Sequence, residues 1–177
     1  AVFLNALAGS VLDDAEPGVQ RDAVRAILQI GTDKGYRVLE QALESGTTQS
    51  REAIMQALAS QRDERAAPLL TYILEHVSHA GALGWVYLRA LDLLGQLRDA
   101  EAIPALEAAL YRGEWWAPRR TAAIRLAAAT ALGRIGTTDA VAVLVKASQQ
   151  GSRGIRSAAR TQLDAIADGR TAGGRTS

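Results

Sequence analysis

The feature that most constrains this chain is an apolar triad that returns along its whole length. The triads are Ala23/Ile27/Ile30, Ile54/Leu58/Gln61, Ala90/Leu94/Leu97, Ala128/Leu132/Ile135 and Ala159/Leu163/Ile166. Their first members are spaced by 31, 36, 38 and 31 residues. Within each triad the steps are four and three residues, which stacks the side chains on one face of a helix. Only Gln61 breaks the apolar pattern. Two positions past each of the first four triads stands Thr32, Asp63, Asp99 or Thr137. Each offers a side-chain oxygen to an orphan N–H of a following helix. Gly136, just before Thr137, suits a helix end because glycine takes positive φ without steric cost. The unit is therefore a helix, a tight turn and a second helix folding back on the first. Such a unit buries its apolar face only by stacking on its neighbours.

The second helices align as Val38-Leu39, Leu69-Leu70, Ala105-Leu106 and Val143-Leu144. Pro68 and Pro104 share a column near their starts, where a missing N–H is tolerated. Residues 2–12 read as a second helix whose first helix is missing, because Leu4 and Ala8 match Leu39 and Leu43. With no initiator Met, the chain is expected to be cut from a longer protein in mid-array. Further helices are expected near 18–30, 33–45, 48–60, 63–77, 83–97, 99–112, 117–135, 138–150 and 152–167. Residues 1–167 thus form one all-α domain, and the stripe-less tail 168–177 is expected to be disordered. Its repeats are expected at about 18–45, 48–77, 83–112 and 117–150, with 152–167 as a terminal helix.

The residues 131–137, Ala-Leu-Gly-Arg-Ile-Gly-Thr, followed by Asp-Ala-Val-Ala-Val-Leu at 139–144, resemble bacterial HEAT repeats, including the HEAT-like repeats named after phycobilisome lyases. Ile124-Arg125 and Ile155-Arg156 resemble the Val-Arg pair that opens the first helix of such repeats. Repeat two departs most, with Ser50-Arg51 for the pair and Gln61-Arg62 for Ile-Gly. The resemblance covers about residues 1–167. It implies a right-handed α-α superhelix of about five helix hairpins, about ten helices and no strands. It further implies protein binding, with nucleic-acid binding or a chaperone-lyase role for a tetrapyrrole chromophore as alternatives. HEAT-like DNA glycosylases match Trp115, Trp116 and the basic half in composition only, since no Asp carries over by motif.

Composition narrows the chemistry. There is no cysteine, so disulfides and thiol chemistry are excluded and the commonest structural zinc ligands are missing. No apolar run approaches the roughly 20 residues of a membrane span. No secretory signal is visible; a mature secreted protein would look the same, and a cytoplasmic location is the expectation. The sequence has no HExxH, no GxSxG and no glycine-rich phosphate loop, so no enzyme activity and no cofactor are expected. The net charge of +1 hides an asymmetry. Residues 1–110 carry 9 Lys and Arg against 15 Asp and Glu, a balance of −6; residues 111–177 carry 11 against 4, a balance of +7.

Two repeat spacings exceed 31 residues, and the extra residues fall in equivalent places. One insertion, 76–85, contains His76, His79 and Trp85; the other, 111–120, contains Tyr111, Arg112, Trp115, Trp116, Arg119 and Arg120. Insertions at one register of a solenoid map to one edge, and aromatics with arginine are the usual anchors of interfaces. These residues are the candidate partner-binding set, and at least one of Trp115 and Trp116 should be partly exposed. The alternative is that the loops pack their aromatics on each other or over the core. His76, His79 and the nearby Glu75 make only a weak metal-site pattern, and solvated or capping histidines are the better reading. Arg51, Arg125 and Arg156 share a repeat column with Tyr87 and are expected to bond carbonyls or caps of the adjacent unit. Arg134 and Arg153, outside that column, are candidates to face an anion.

Overall fold

The computed structural model describes residues 2–12, 16–61, 66–113 and 116–173. Ten α-helices and no strand occur among the described residues. They are α1 (Val2–Leu12), α2 (Pro17–Ile30), α3 (Asp33–Ser45), α4 (Thr48–Gln61), α5 (Ala67–His76), α6 (Gly84–Leu97), α7 (Ile103–Tyr111), α8 (Pro118–Ile135), α9 (Thr138–Gln150) and α10 (Arg153–Gly173). The packing separates into two compact units, Ala1–Ala90 and Leu91–Ser177, and the boundary falls within α6.

In the first unit α2 packs on α4 and α1, and α3 packs on α1, α4 and α5. Its core holds Val24, Ile27 and Leu28 of α2, Leu39 and Leu43 of α3, Ile54 and Leu58 of α4, and Leu70 and Ile73 of α5. A buried polar contact ties two helices together here: Gln20 Nε2 donates to Ser50 Oγ at 3.4 Å. In the second unit α8 packs on α7, α9 and α10, and α9 packs on α10. Leu94, Leu106, Leu110, Ala128, Leu132, Leu144 and Ala159 are all fully buried. The first four triads therefore face the core except near helix ends, whereas Leu163 and Ile166 in the body of α10 are only half-buried. Ile30, in the last turn of α2, is 39% exposed.

The turns follow their sequence. Gly31 and Gly136 sit in the left-handed region at φ 60° and 67°, and their N–H groups donate to Ile27 O and Leu132 O. Thr32 and Thr137 accept from Gly35 N and Ala140 N, both at 3.3 Å. Asp99 caps a short 3-10 turn, Ala100–Ala102, by accepting from Glu101 N at 3.0 Å. That turn delays α7 to Ile103 and leaves Pro104 in its first turn, so the helix is shorter than the expected 99–112. Asp63 lies outside the described residues. The final helix runs to Gly173, past the expected end at 167. No proline interrupts residues 168–173, and the Gly173-Gly174 pair is the first strong breaker; residues 174–177 lie outside the described residues.

The end of α6 lacks the glycine found at the ends of α2 and α8. Arg98 stands where Gly31 and Gly136 stand, holds φ at 57°, and donates its N–H to Leu94 O at 3.1 Å. A side chain with a Cβ pays a steric penalty there. Arg98→Gly is expected to stabilise the second unit by about 0.5–1 kcal/mol after the entropy of the freer unfolded chain is deducted. Urea denaturation would measure it, and a loss of stability would contradict this account of the turn.

Candidate partner-binding surface

In the first unit the insertion follows the end of α5. His76 is exposed and its ring stacks on Tyr72, with centroids 4.1 Å apart and planes at 16°. Its Nδ1 lies 3.2 Å from Tyr72 O, and Tyr72 donates its hydroxyl to Glu44 Oε1 at 3.5 Å. Partial burial, followed by the negative charges of Glu40 and Glu44, raises the Tyr72 pKa above its ordinary value. His79 turns inward and its ring meets the buried Tyr87 at 5.7 Å. The two histidines thus have different neighbours, and no group of three or more His, Asp or Glu able to hold a metal ion occurs among the described residues. Trp85 opens α6 and is 39% exposed. It borders a groove of about 470 Å³ with Met55, Ala59, Glu52, Gln56 and Arg89.

In the second unit the insertion links α7 to α8. Tyr111 ends α7 and is 37% exposed. Arg112 is half-buried, and its backbone N–H closes the helix on Ala108 O and Ala109 O. Trp115 lies outside the described residues. Trp116 is 63% exposed, the most exposed large hydrophobic side chain among the described residues. Pro118 starts α8 from an Ala117 N-cap that makes no side-chain bond, and no acidic residue occupies the first turn. Arg119 is exposed and Arg120 half-buried in that same turn. Cations at a helix N-terminus oppose the helix dipole, so these two arginines are poorly placed for helix stability.

The anion-facing candidates divide. Arg134 donates to Asp92 Oδ1 at 2.6 Å, so its charge is balanced locally instead of facing a ligand. Lys146 likewise pairs with Glu107 at 2.9 Å, and that bond and charge raise the Lys146 pKa. Both pairs are exposed on one side and are worth little to stability. Arg153 is exposed at the start of α10.

Two members of the arginine column bond carbonyls at helix ends, as their repeat position predicts. Arg51 donates Nε to Leu43 O at 2.8 Å and Nη2 to Glu44 O at 3.0 Å, closing the end of α3. Arg156 donates Nη1 to Gly151 O at 2.9 Å, closing α9. Gln20 occupies the same column at the start of the array, which the sequence pattern did not single out.

Residues 82–164 match the family model of the HEAT repeats. Over those residues the chain is similar to a HEAT-repeat array. Human deoxyhypusine hydroxylase, solved in complex with glycerol, is similar in structure, with a TM-score of 0.51 and 21% sequence identity over 93% of this chain and 74% of that one. At that identity the likeness is one of fold. No curated protein matches the chain. Among the described residues no helix of the array is long and apolar enough to cross a membrane.

Proposed function

We propose that this HEAT array is a non-enzymatic protein-interaction scaffold that binds its partner through the 111–120 insertion. Trp116 is the anchor, Arg119 and Arg120 form the polar rim, and the insertion bearing His76, His79 and Trp85 offers a second patch. The observation that carries this reading is the 63% exposure of Trp116 on a loop. HEAT repeats typically serve as such scaffolds. An indole left in water forgoes burial that an interface recovers, and tryptophan is among the residues most enriched at hot spots.

A nucleic-acid reading is favoured by the +7 balance of residues 111–177. It is weakened because Arg134, Lys146 and Arg156 are engaged by Asp92, Glu107 and Gly151. Salt separates the two: phosphate contacts give a steep dependence of affinity on ionic strength. A random-sequence DNA duplex titrated across salt is expected to bind only at low ionic strength.

Selection of a random peptide library against the full chain supplies ligands for a direct test. Trp116→Ala is expected to weaken the selected peptides by about 2 kcal/mol. Helical circular dichroism should not change, because Trp116 precedes α8. Peptides that bind Trp116→Ala as tightly as the parent chain would refute the assignment.

A further inference from the structure

Arg125 departs from the rest of its column. Residues 46–47 alone separate α3 from α4, and 151–152 alone separate α9 from α10, so each preceding helix ends within reach of Arg51 or Arg156. The insertion lengthens the equivalent link to 112–117. Among the described residues, Arg125 reaches no helix carbonyl and no carboxylate. Its Nε is buried without a hydrogen-bond partner. Two glycines make room for its guanidinium: a Cβ on Gly113 would run into Nη2, and one on Gly154 would stand 2.9 Å from Nη1.

This guanidinium lines a cavity of about 800 Å³ between α8 and α10. Pro118, Ala122, Leu126 and Ala158 give it apolar walls, and Ser157 and Thr161 add hydroxyls. A half-buried cation with no partner among the described residues is costly, and a planar guanidinium matches a carboxylate with two parallel hydrogen bonds. One fixed cation balances one negative charge, which fits a carboxylate better than a doubly charged phosphate. The apolar walls fit a carboxylate carried on an apolar segment. The neighbouring Arg119, Arg120 and Arg153 raise the local concentration of anions.

We propose that this cavity binds a carboxylate, either an acidic side chain or a chain terminus, presented on an apolar segment of a partner protein. The peptide nature of the carrier rests on the protein-binding reading above; the carboxylate chemistry rests on Arg125.

The test follows the Arg125 Nε–Hε signal of the ¹⁵N-labelled full chain by nuclear magnetic resonance. Four probes are titrated: acetyl-Leu-Glu-Leu-amide, acetyl-Leu-Leu-Ala with a free terminal carboxylate, acetyl-Leu-Gln-Leu-amide, and inorganic phosphate. At least one carboxylate peptide should shift the signal saturably, while the Gln peptide does not. Whichever carboxylate peptide binds tighter identifies the source of the group. Arg125→Met should weaken binding at least about tenfold, as loss of a charge-assisted bond does. Gly154→Ala supplies the same test without removing the charge. It should crowd the guanidinium and weaken binding comparably, while its helix propensity favours folding. The proposal is overturned if neither carboxylate peptide gives a saturable shift, if phosphate alone does, or if both variants bind as the parent does. Each of those results would leave the dependence of selected peptides on Trp116 intact, so the two readings fail separately.

Discussion

Replacing Leu132 by Ala is expected to destabilise the second unit by roughly 3–4 kcal/mol. Leu132 is fully buried at the centre of the Ala128/Leu132/Ile135 triad. The nearby buried positions of α8 and its packing partners are rich in alanine, including Ala128, Ala129, Ala131, Ala147 and Ala159. Such short side chains cannot swing into the space a leucine leaves, so the cavity persists and the cost lies toward the upper part of the range for Leu→Ala changes. Repeat arrays need not unfold in one step, so the loss should be read from amide hydrogen exchange along α8 as well as from urea denaturation. A loss below about 1 kcal/mol would mean that the site collapses around the smaller residue and that the triad is not the core the pattern implies.

The second large effect concerns Gly95. A Cβ there would stand 2.7 Å from Ala131 Cα and 3.0 Å from Ala131 Cβ, so α6 and α8 approach through two small residues. The obstacle is backbone, which cannot move aside as a flexible side chain can. Gly95→Val is expected to cost roughly 2–3 kcal/mol through overpacking and helix displacement. Alanine at the same place gains about 1 kcal/mol of helix propensity yet still meets Ala131, so it should be near neutral or mildly destabilising. Thermal denaturation of both variants measures this, and a stabilised Gly95→Val would contradict the close approach.

Much of this fold was legible because its signals are local and repeated. The steps of four and three residues in each triad set helix faces, and Gly136-Thr137 sets a turn, without any knowledge of distant contacts. The signal weakened where a cap had more than one use. Asp99 has the side chain of an N-cap, but it opens a 3-10 turn and not the expected α-helix. Absence of an apolar stripe in residues 168–173 says nothing against continuing a helix already begun, and α10 runs to Gly173.

The candidate surface was legible in part. That at least one of Trp115 and Trp116 is exposed follows from two adjacent indoles that cannot share one face; which one does not follow, and Trp116 is 63% exposed. The partner of Arg134 does not follow, because Asp92 lies in another repeat and only the fold brings the pair to 2.6 Å. Arg125 was hidden for a deeper reason. Its column predicts a carbonyl bond, and two neighbours make one. What changes its role is the length of the preceding link, so the residue and the insertion have to be read together.

The central claim is that Trp116 is held in water for a partner to cover. The most direct measurement leaves it as the sole tryptophan, with Trp85→Phe and Trp115→Phe, and follows its fluorescence with acrylamide as quencher. In the free chain the emission should be red-shifted and strongly quenched. With a library-selected peptide bound, it should shift to the blue and become protected from acrylamide, and helical content should stay constant. Emission that is already blue and protected in the free chain, or that stays red and quenchable in the saturated complex, would contradict the claim.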